Sequence, residues 1–463
     1  MKKLADTLLI VGAGMLGLIP LLHFMSLSGA KHPRGQLFWF FAGSMVIFIG
    51  MLSRPENRAK VRWLATKIAD CYKVVAIFSL NAVLAFVFLE LASGAIFKAR
   101  ELFLSSAPQR VQDPREKSSF YSSQPWASRY WHEFALSRKQ KYHPFVIWRR
   151  APFEGSTINI DRDGVRVTPG ANCVANSFKV FTFGGSTMWG TGSPDWGTIP
   201  AYLQGGLETL RDGPICVRNF GESAYVSTQS IIELVLQLQS GNVPNVVLFY
   251  EGPNDAYTGY QSGQAGGHEN LDQLAAKFEN REISQSKSFA RLLEPLKATA
   301  LFALSDALVG KLSQPQAAPA LVTYESMGID AAKLSQAIVQ RYLGNYQVVD
   351  GLSHEYGFKY FFFWPPYISI GEKPLTSEEK QLKTAVDPAL DKLYREVYRD
   401  VEPLPAEYEN FYYLGEMFDK YEPLVWLDDA HVTPEGNRMI AQKMLNVMAA
   451  RTPLHRSEKQ ATH

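Results

Sequence analysis

The chain has 463 residues, with 47 Lys and Arg against 45 Asp and Glu and a net charge of +2, a length that allows two or three domains. Hydrophobic residues make up 46% and charged residues 20%, which excludes an intrinsically disordered chain, and the near-neutral charge argues against a nucleic-acid-binding protein. The three cysteines are too few for a disulfide-dense scaffold, and without a CxxC pair we expect no thiolate zinc site. No cofactor and no metal ligand are predicted.

The first hundred residues predict a membrane anchor, residues 1–98. Three stretches carry few or no charged residues, and each approaches the ~20 residues that a helix needs to cross a bilayer. They predict transmembrane helices at about 7–28, 36–53 and 74–97. The third stretch contains Glu90, which we expect to face another helix or a partner, or to lie near the outer interface.

Basic residues in the short loops predict the orientation of these helices. The loop after the second stretch holds Arg54, Arg58, Lys60, Arg62, Lys67 and Lys73, whereas the loop before it holds Lys31 and Arg34. Because cytoplasmic loops carry the Lys and Arg excess, we expect a multi-pass protein of the plasma (inner) membrane with a cytoplasmic N-terminus and a periplasmic or extracellular C-terminal domain. A cleaved signal peptide ending near Ser28-Gly29-Ala30 is the alternative for the first stretch.

Residues 99–176 are predicted to form a connector that packs on the following domain. The alternating segment Thr157–Val167 turns at Asp163-Gly164, which is typical of a β-hairpin. The last residues, 452–463, are predicted to form a polar tail.

From residue 177 to 451, short apolar strands alternate with helical segments. The predicted strands are Phe178–Phe183, Ile215–Asn219, Val246–Tyr250, Lys359–Phe363 and Leu424–Leu427, and the predicted helices lie near 198–211, 228–240, 329–350, 376–399 and 434–450. This alternation predicts an α/β domain with a parallel sheet covered by helices on both faces. In such sheets the functional residues lie beyond the carboxyl ends of the strands.

Polar blocks follow four of these strands, and together they resemble a known family. FTFGGSTMWG, RNFGESAYVS, YEGPNDAY and LDDAHVTPEGNRMIA are similar, in order, to the four blocks of SGNH (GDSL-type) hydrolases over roughly residues 177–450. The resemblance implies a flavodoxin-like three-layer fold and ester or acyl chemistry. One position departs from the pattern, because Gly185 stands where the family has an acidic residue, and this puts the substrate class in doubt.

The resemblance implies a role for each residue of these blocks. Ser186 would be the nucleophile, His431 the base that takes its proton, and Asp428 the group that orients the imidazole. The side-chain amide of Asn254 and the backbone N–H groups of Gly221 and Ser186 would form the oxyanion hole. Taken singly, the same blocks also fit a plain turn or a helix cap.

The cysteines and an insertion complete the expectations for this domain. Cys173 precedes the first strand of the sheet and Cys216 lies in the second, so they form either a disulfide or two buried thiols, while Cys71 is expected to be free. Within an insertion at about 260–328, the apolar segment Ser288–Leu312 predicts a helix packed on the core, or a lid or surface helix on the membrane.

Three hypotheses for function follow. The first is a membrane-anchored extracytoplasmic serine esterase that acts on an acylated small molecule or, more specifically, on an acylated cell-envelope glycan or lipid. The second is an O-acyltransferase that modifies a polysaccharide with a polytopic membrane partner. The third is a non-catalytic assembly or binding subunit. No nucleic-acid partner is expected.

Overall fold

A computed structural model of the chain describes residues 2–26, 33–103, 112–269, 271, 274–275, 299–305 and 322–452. The chain divides into two compact units. One comprises Met1–Ser105 with Leu293–Gln314, and the other comprises Ser106–Leu292 with Pro315–His463.

The N-terminal unit contains three long helices: α1 (Lys2–Ser26), α2 (Pro33–Leu52) and α3 (Arg58–Phe103). Helices α1 and α2 pack antiparallel through small residues. A β-carbon on Gly12 would meet the backbone of Ile47, and one on Gly50 would meet the carbonyl of Ala5. Glycines at these positions therefore let the two backbones approach closely, as small residues do in membrane helix pairs.

By length and composition, one helix in the described part of the chain could cross a membrane. It covers Ala59–Ala99, and Phe41–Leu52 is a shorter apolar helix. The sequence predicts three spans, and this count is not reproduced; the side chains of residues 17–40, which belong to the first two spans, lie outside the described residues. Helix α3 also begins well before the predicted residue 74, because residues 58–73 contain good helix formers and neither Gly nor Pro.

Glu90 on α3 faces another segment of its own unit. Its carboxylate accepts the backbone N–H groups of Ala300 (2.7 Å) and Leu301 (2.8 Å), at the start of a helical turn. Of the predicted segment Ser288–Leu312, only residues 299–305 are described, and they belong to the same compact unit as α3.

The second unit is an α/β domain preceded by small antiparallel pairs. Its strands are β1 (Gln140–His143), β2 (Ile147–Arg150), β3 (Phe153–Glu154), β4 (Asn159–Ile160), β5 (Phe178–Gly184), β6 (Ile215–Asn219), β7 (Val246–Tyr250), β8 (Lys359–Trp364) and β9 (Phe411–Tyr413). Its helices are α4 (Ser119–Ser122), α5 (Ala127–Ser137), α6 (Ser186–Trp189), α7 (Ile199–Leu210), α8 (Ser227–Gln239), α9 (Pro253–Ser262), α10 (Ala331–Tyr356), α11 (Ser377–Ala385), α12 (Pro388–Val401) and α13 (Pro434–Arg451).

Strands β5 to β9 form one parallel sheet in the order β6-β5-β7-β8-β9. The predicted parallel sheet is thus confirmed, and its order is the doubly wound 2-1-3-4-5 arrangement. Alternate residues of the strands enter two buried cores. On one face, Phe181, Phe249 and Phe362 pack with residues of α8, α10 and α12. On the other face, Val180, Leu248 and Phe361 pack with residues of α7 and α13.

Two predicted elements differ from the structure. The predicted strand Leu424–Leu427 is not formed, although Val425, Trp426 and Leu427 are buried, and the fifth strand is β9 instead. The backbone N–H groups of Val425 and Trp426 donate to the Glu379 carboxylate, and Leu427 bonds back to His431, so this segment is held by a side chain and a local turn. The predicted helix 376–399 is two helices, because Asp387 caps a new helix that starts at Pro388.

Residues 159–173 run along strand β6, at one edge of the sheet. Residues 159–167 turn back at Gly164, which has φ +78°, and the backbone of Val167 donates to Asn159. Arg166 then bridges to Asn219 of β6. A disulfide joins Cys173 of this segment to Cys216 of β6, while Cys71 on α3 is a free, exposed thiol. The segment is therefore tied to strand β6 both covalently and through the backbone.

Candidate active site

The candidate nucleophile lies at the junction of β5 and α6. Strand β5 ends at Gly184, which adopts φ +156°, a conformation that only glycine takes readily. Ser186 is the first residue of α6, where a backbone N–H has no acceptor within the helix. The hydroxyl of Ser186 therefore lies at the carboxyl edge of the sheet, beside an N–H group that can face a ligand.

His431 and Asp428 complete a hydrogen-bonded chain with this serine. His431 Nε2 lies 2.7 Å from Ser186 Oγ, and His431 Nδ1 lies 2.7 Å from Asp428 Oδ2. The antiparallel bridge between Trp426 and Val432 folds the intervening segment into a turn that presents both side chains. This is the geometry in which an imidazole can take the serine proton while a carboxylate fixes its tautomer.

Asp428 is kept ionised by its neighbours. Burial by itself would raise the pKa of Asp428, but the charges of His431 and Arg115 and the hydrogen bonds from His431 outweigh it and hold this pKa well below its usual range. The carboxylate is therefore negative at neutral pH, as an orienting group for the imidazole must be.

Asn254 is oriented toward the nucleophile by a backbone carbonyl. It follows Pro253 at the start of α9, after β7, and its Nδ2 donates to the carbonyl of Tyr225 at 2.8 Å. An amide nitrogen carries two hydrogens, so the second remains for an oxyanion. A β-carbon on Gly185 would overlap this amide nitrogen, so that a larger residue here would require the Asn254 side chain to shift.

Gly221, the third predicted oxyanion donor, lies beside α6, and its N–H has a hydrogen-bond partner in this structure. Its N–H donates to Asn219 Oδ1 at 3.1 Å, and Asn219 Nδ2 in turn donates to the carbonyl of Trp189. A β-carbon on Gly221 would also meet the backbone nitrogen of Trp189. In this structure Gly221 therefore packs closely against α6, and the part that Gly221, Ser186 and Asn254 would play in an oxyanion hole stays a prediction.

Residues 112–150 contribute groups that the sequence patterns did not reveal. Arg115 NH1 lies 3.3 Å from Asp428 Oδ2 and 3.2 Å from His431 Nδ1, and Asp113 holds the same guanidinium. Arg150 stacks on Trp189 of α6, with its guanidinium carbon 3.7 Å from the ring centre. No family block contains Arg115 or Arg150, and the contacts of Arg115 with Asp428 and His431 span more than 300 positions in the sequence.

Two cavities meet at Ser186 and Asn254. The larger, of about 410 Å³, is lined on one side by the arginines Arg115, Arg138 and Arg150. The smaller, of about 240 Å³, is lined by Glu251, Tyr394, Asp429 and His431. Burial, helped by neighbouring carboxylates, raises the pKa of both Glu251 and Asp429. The first cavity is therefore cationic in part, whereas the two acids of the second take up a proton more readily than exposed carboxyl groups do.

Within the described residues, no group of three or more His, Cys, Asp or Glu side chains is arranged to hold a metal ion. The site is built instead from a serine, an imidazole, a carboxylate and amide donors, which together suit nucleophilic acyl chemistry.

Comparisons with known proteins give similarities to solved structures alone. No family model matches the chain, and no curated protein matches it. A member of the lipolytic protein G-D-S-L family from Veillonella parvula is 12% identical, with a TM-score of 0.30 over 58% of this chain and 98% of that chain. An acetylxylan esterase from Geobacillus stearothermophilus, in a catalytic mutant form, is 14% identical, with a TM-score of 0.32 over 63% of this chain and 100% of that chain.

A carbohydrate acetylesterase from Sinorhizobium meliloti is 12% identical, with a TM-score of 0.31 over 59% of this chain and 99% of that chain. One of these three structures is described as a G-D-S-L protein, the kind of family that the four sequence blocks also resemble. At such identities and TM-scores the likenesses carry no argument about chemistry, which is inferred below from the geometry of the site.

Proposed function

We propose that the chain is a serine ester hydrolase that works through an acyl intermediate on Ser186. The observation that carries this proposal is the continuous chain from Ser186 Oγ through His431 to Asp428, with both contacts at 2.7 Å. A serine hydroxyl is a weak nucleophile until a base in hydrogen-bond reach takes its proton, and His431 Nε2 is in that position.

The reaction would proceed in two halves. Ser186 Oγ attacks the ester carbonyl while His431 accepts the hydroxyl proton, and Ser186 N–H and Asn254 Nδ2 stabilise the oxyanion. Collapse of the tetrahedral intermediate expels the alcohol, which takes its proton from His431. Water then attacks the acyl-serine with His431 again as the base, and the acid is released.

The substrate class that we propose is an acylated glycan or lipid of the cell envelope. Helix α3 is long and apolar enough to hold the protein at a membrane, and the Cys173–Cys216 disulfide suits an oxidising compartment. With the basic residues 54–73 in the cytoplasm, the hydrolase domain would lie on the periplasmic or extracellular side.

Transfer to a sugar hydroxyl is a second candidate, because two cavities meet at Ser186. One could hold the acyl donor while the other holds an acceptor, and a polytopic membrane partner would then supply the donor. Hydrolysis and transfer share the acyl-serine and differ in what resolves it. Product analysis with and without an oligosaccharide acceptor distinguishes the two.

A fluorophosphonate probe tests the proposal, since an activated serine attacks phosphorus as it attacks an acyl carbon. The full-length chain in detergent should take up the probe at Ser186 and hydrolyse a short-chain aryl ester. Ser186→Ala and His431→Ala should abolish both, while their melting temperatures stay close to that of the wild type. A folded wild-type protein that neither labels nor hydrolyses would exclude the proposal.

A further inference from the structure

We infer that Arg115 is a positioning residue of this site: it fixes the direction of the Asp428 carboxylate, and through it the imidazole of His431. The inference rests on the proposed function, because it assigns a part within the same site. Arg115 lies more than 300 positions from Asp428 in the sequence and precedes every block that resembles the hydrolase family.

The two oxygens of Asp428 are held from different directions. Oδ1 accepts the backbone N–H groups of Ala430 (2.9 Å) and His431 (2.6 Å), which belong to the same turn. Oδ2 makes the 2.7 Å contact to His431 Nδ1. In the described part of the chain, Arg115 is the one group outside this turn that approaches Oδ2, with NH1 at 3.3 Å. Both oxygens lie close to His431 Nδ1, Oδ1 at 3.0 Å and Oδ2 at 2.7 Å. The turn therefore fixes Oδ1, and Arg115 fixes Oδ2, the oxygen nearer to the imidazole nitrogen.

Arg115 is itself anchored. Its Nε and NH2 each donate to Asp113 at 2.8 Å, and its side chain is 18% exposed. Asp113 in turn caps the short helical turn Pro114–Lys117. A guanidinium can grip one carboxylate with two nitrogens and still offer the third to another carboxylate, which a lysine ammonium cannot do with the same geometry.

The carboxylates of Asp113 and Asp428 hold the guanidinium of Arg115 in place, and Asp428 stays ionised. Asp113 and Asp428 both contribute to raising the pKa of Arg115 above its ordinary value against the opposing effect of burial, so the guanidinium remains charged. Without it, the Asp428 carboxylate, whose side chain is 27% exposed, would be free to turn its Oδ2 toward water, and the imidazole would lose its alignment with Ser186 Oγ. The rate of acyl transfer to Ser186 would fall even though every catalytic group is still present.

The test uses the full-length chain in detergent with Arg115→Ala, Arg115→Lys and Asp113→Asn. Arg438→Ala is the matched control, because it also removes an arginine ion pair, to Glu435, at an exposed site outside the machinery. We expect Arg115→Ala to lower kcat on a short aryl ester by about 10- to 100-fold with little change in KM, and to slow fluorophosphonate labelling equally. Added guanidinium ion should restore part of the rate, and Arg115→Lys and Asp113→Asn should be intermediate.

The outcomes separate this inference from the proposed function. Wild-type rates for Arg115→Ala would overturn the inference, and so would a rise in KM at constant kcat, which would make Arg115 a substrate-binding group. If Arg115→Ala fails to fold, Asp113→Asn decides, since it leaves the guanidinium in place and weakens its anchor.

If the wild-type protein neither labels nor hydrolyses, the proposed function fails and proton NMR still tests the inference. The low-field signal of His431 Nδ1–H, identified by its loss in His431→Ala, should be present in the wild type and be lost or moved in Arg115→Ala. An unchanged signal would overturn the inference.

Discussion

The side-chain nitrogen of Asn254 occupies the space that a β-carbon on Gly185 would need. Any side chain at this position therefore displaces the amide that is placed to stabilise the oxyanion. The acidic residue that the hydrolase family carries before its serine cannot fit here unless Asn254 moves.

Gly185→Asp should accordingly cost most of the activity. The expected loss is about 10²–10³ in kcat, the effect of removing one oxyanion donor, with Ser186 still present. Gly205→Ala is the control, because a β-carbon there meets nothing within 4 Å, and it should leave kcat unchanged. If Gly185→Asp kept the wild-type activity, the Asn254 side chain could move aside and still stabilise the oxyanion equally well.

Asn254→Ala should lower kcat by a similar ~10²–10³, because the lost donor acts mainly in the transition state. The thermal midpoint should change little, since the amide makes one hydrogen bond, to the Tyr225 carbonyl. Steady-state kinetics on an aryl ester give the first quantity and a melting curve gives the second. A parallel loss of both would indicate a structural role for Asn254.

The Cys173–Cys216 disulfide should protect both thiols from a maleimide probe after unfolding without reductant, while Cys71 reacts. Equal labelling of all three cysteines would mean that the disulfide is absent. The bond closes a loop with a sequence separation of 43, for which the chain-entropy estimate gives about 4 kcal/mol of stability. Cys173→Ser should lower the free energy of unfolding by up to that amount, and Cys71→Ser should not.

Asp255 should make the α/β domain less stable as the pH rises from about 4 to about 6. Burial raises the pKa of Asp255 to about 6, although Ser227 donates two groups to it. Between the unfolded and folded pKa values the folded state binds more protons, so the free energy of unfolding falls with rising pH and levels off above about 6. Asp255→Asn should flatten this slope in denaturant titrations at several pH values. An unchanged slope would show that the raised pKa does not belong to Asp255.

The orientation of the N-terminal helices is tested by reporter fusions. A reporter inserted after residue 65 should read cytoplasmic, since this loop carries the basic excess, and one placed after His463 should read external. An external signal at residue 65 would contradict the proposed topology.

Local sequence patterns anticipated the sheet well and the surroundings of the site poorly. Strands such as Val246–Tyr250 are continuous apolar runs that end at polar blocks, a pattern that a buried parallel strand imposes on any sequence. Leu424–Leu427 has the same apolar character, but the Glu379 carboxylate takes two of its N–H groups, and no local pattern reports that contact.

The candidate triad could be placed from sequence because each of its blocks follows a predicted element. Arg115 could not, because its contact with Asp428 depends on how a distant segment packs, and neither periodicity nor residue type predicts that. Likewise, the sequence identifies the block that contains Gly221. The hydrogen bond from its N–H to Asn219 Oδ1 depends on the side-chain rotamer of Asn219, which the sequence does not predict.

The bridge from Arg166 to Asn219 has a consequence for any shortened form of the protein. Strand β6 is an outer strand of the sheet, and residues 159–167 cover part of its free side. Trimming the chain to the family-like residues 177–450 would leave those backbone groups open to pairing with another molecule, which is how exposed edges start aggregation. By covering this edge, residues 159–167 thus protect the domain from self-association.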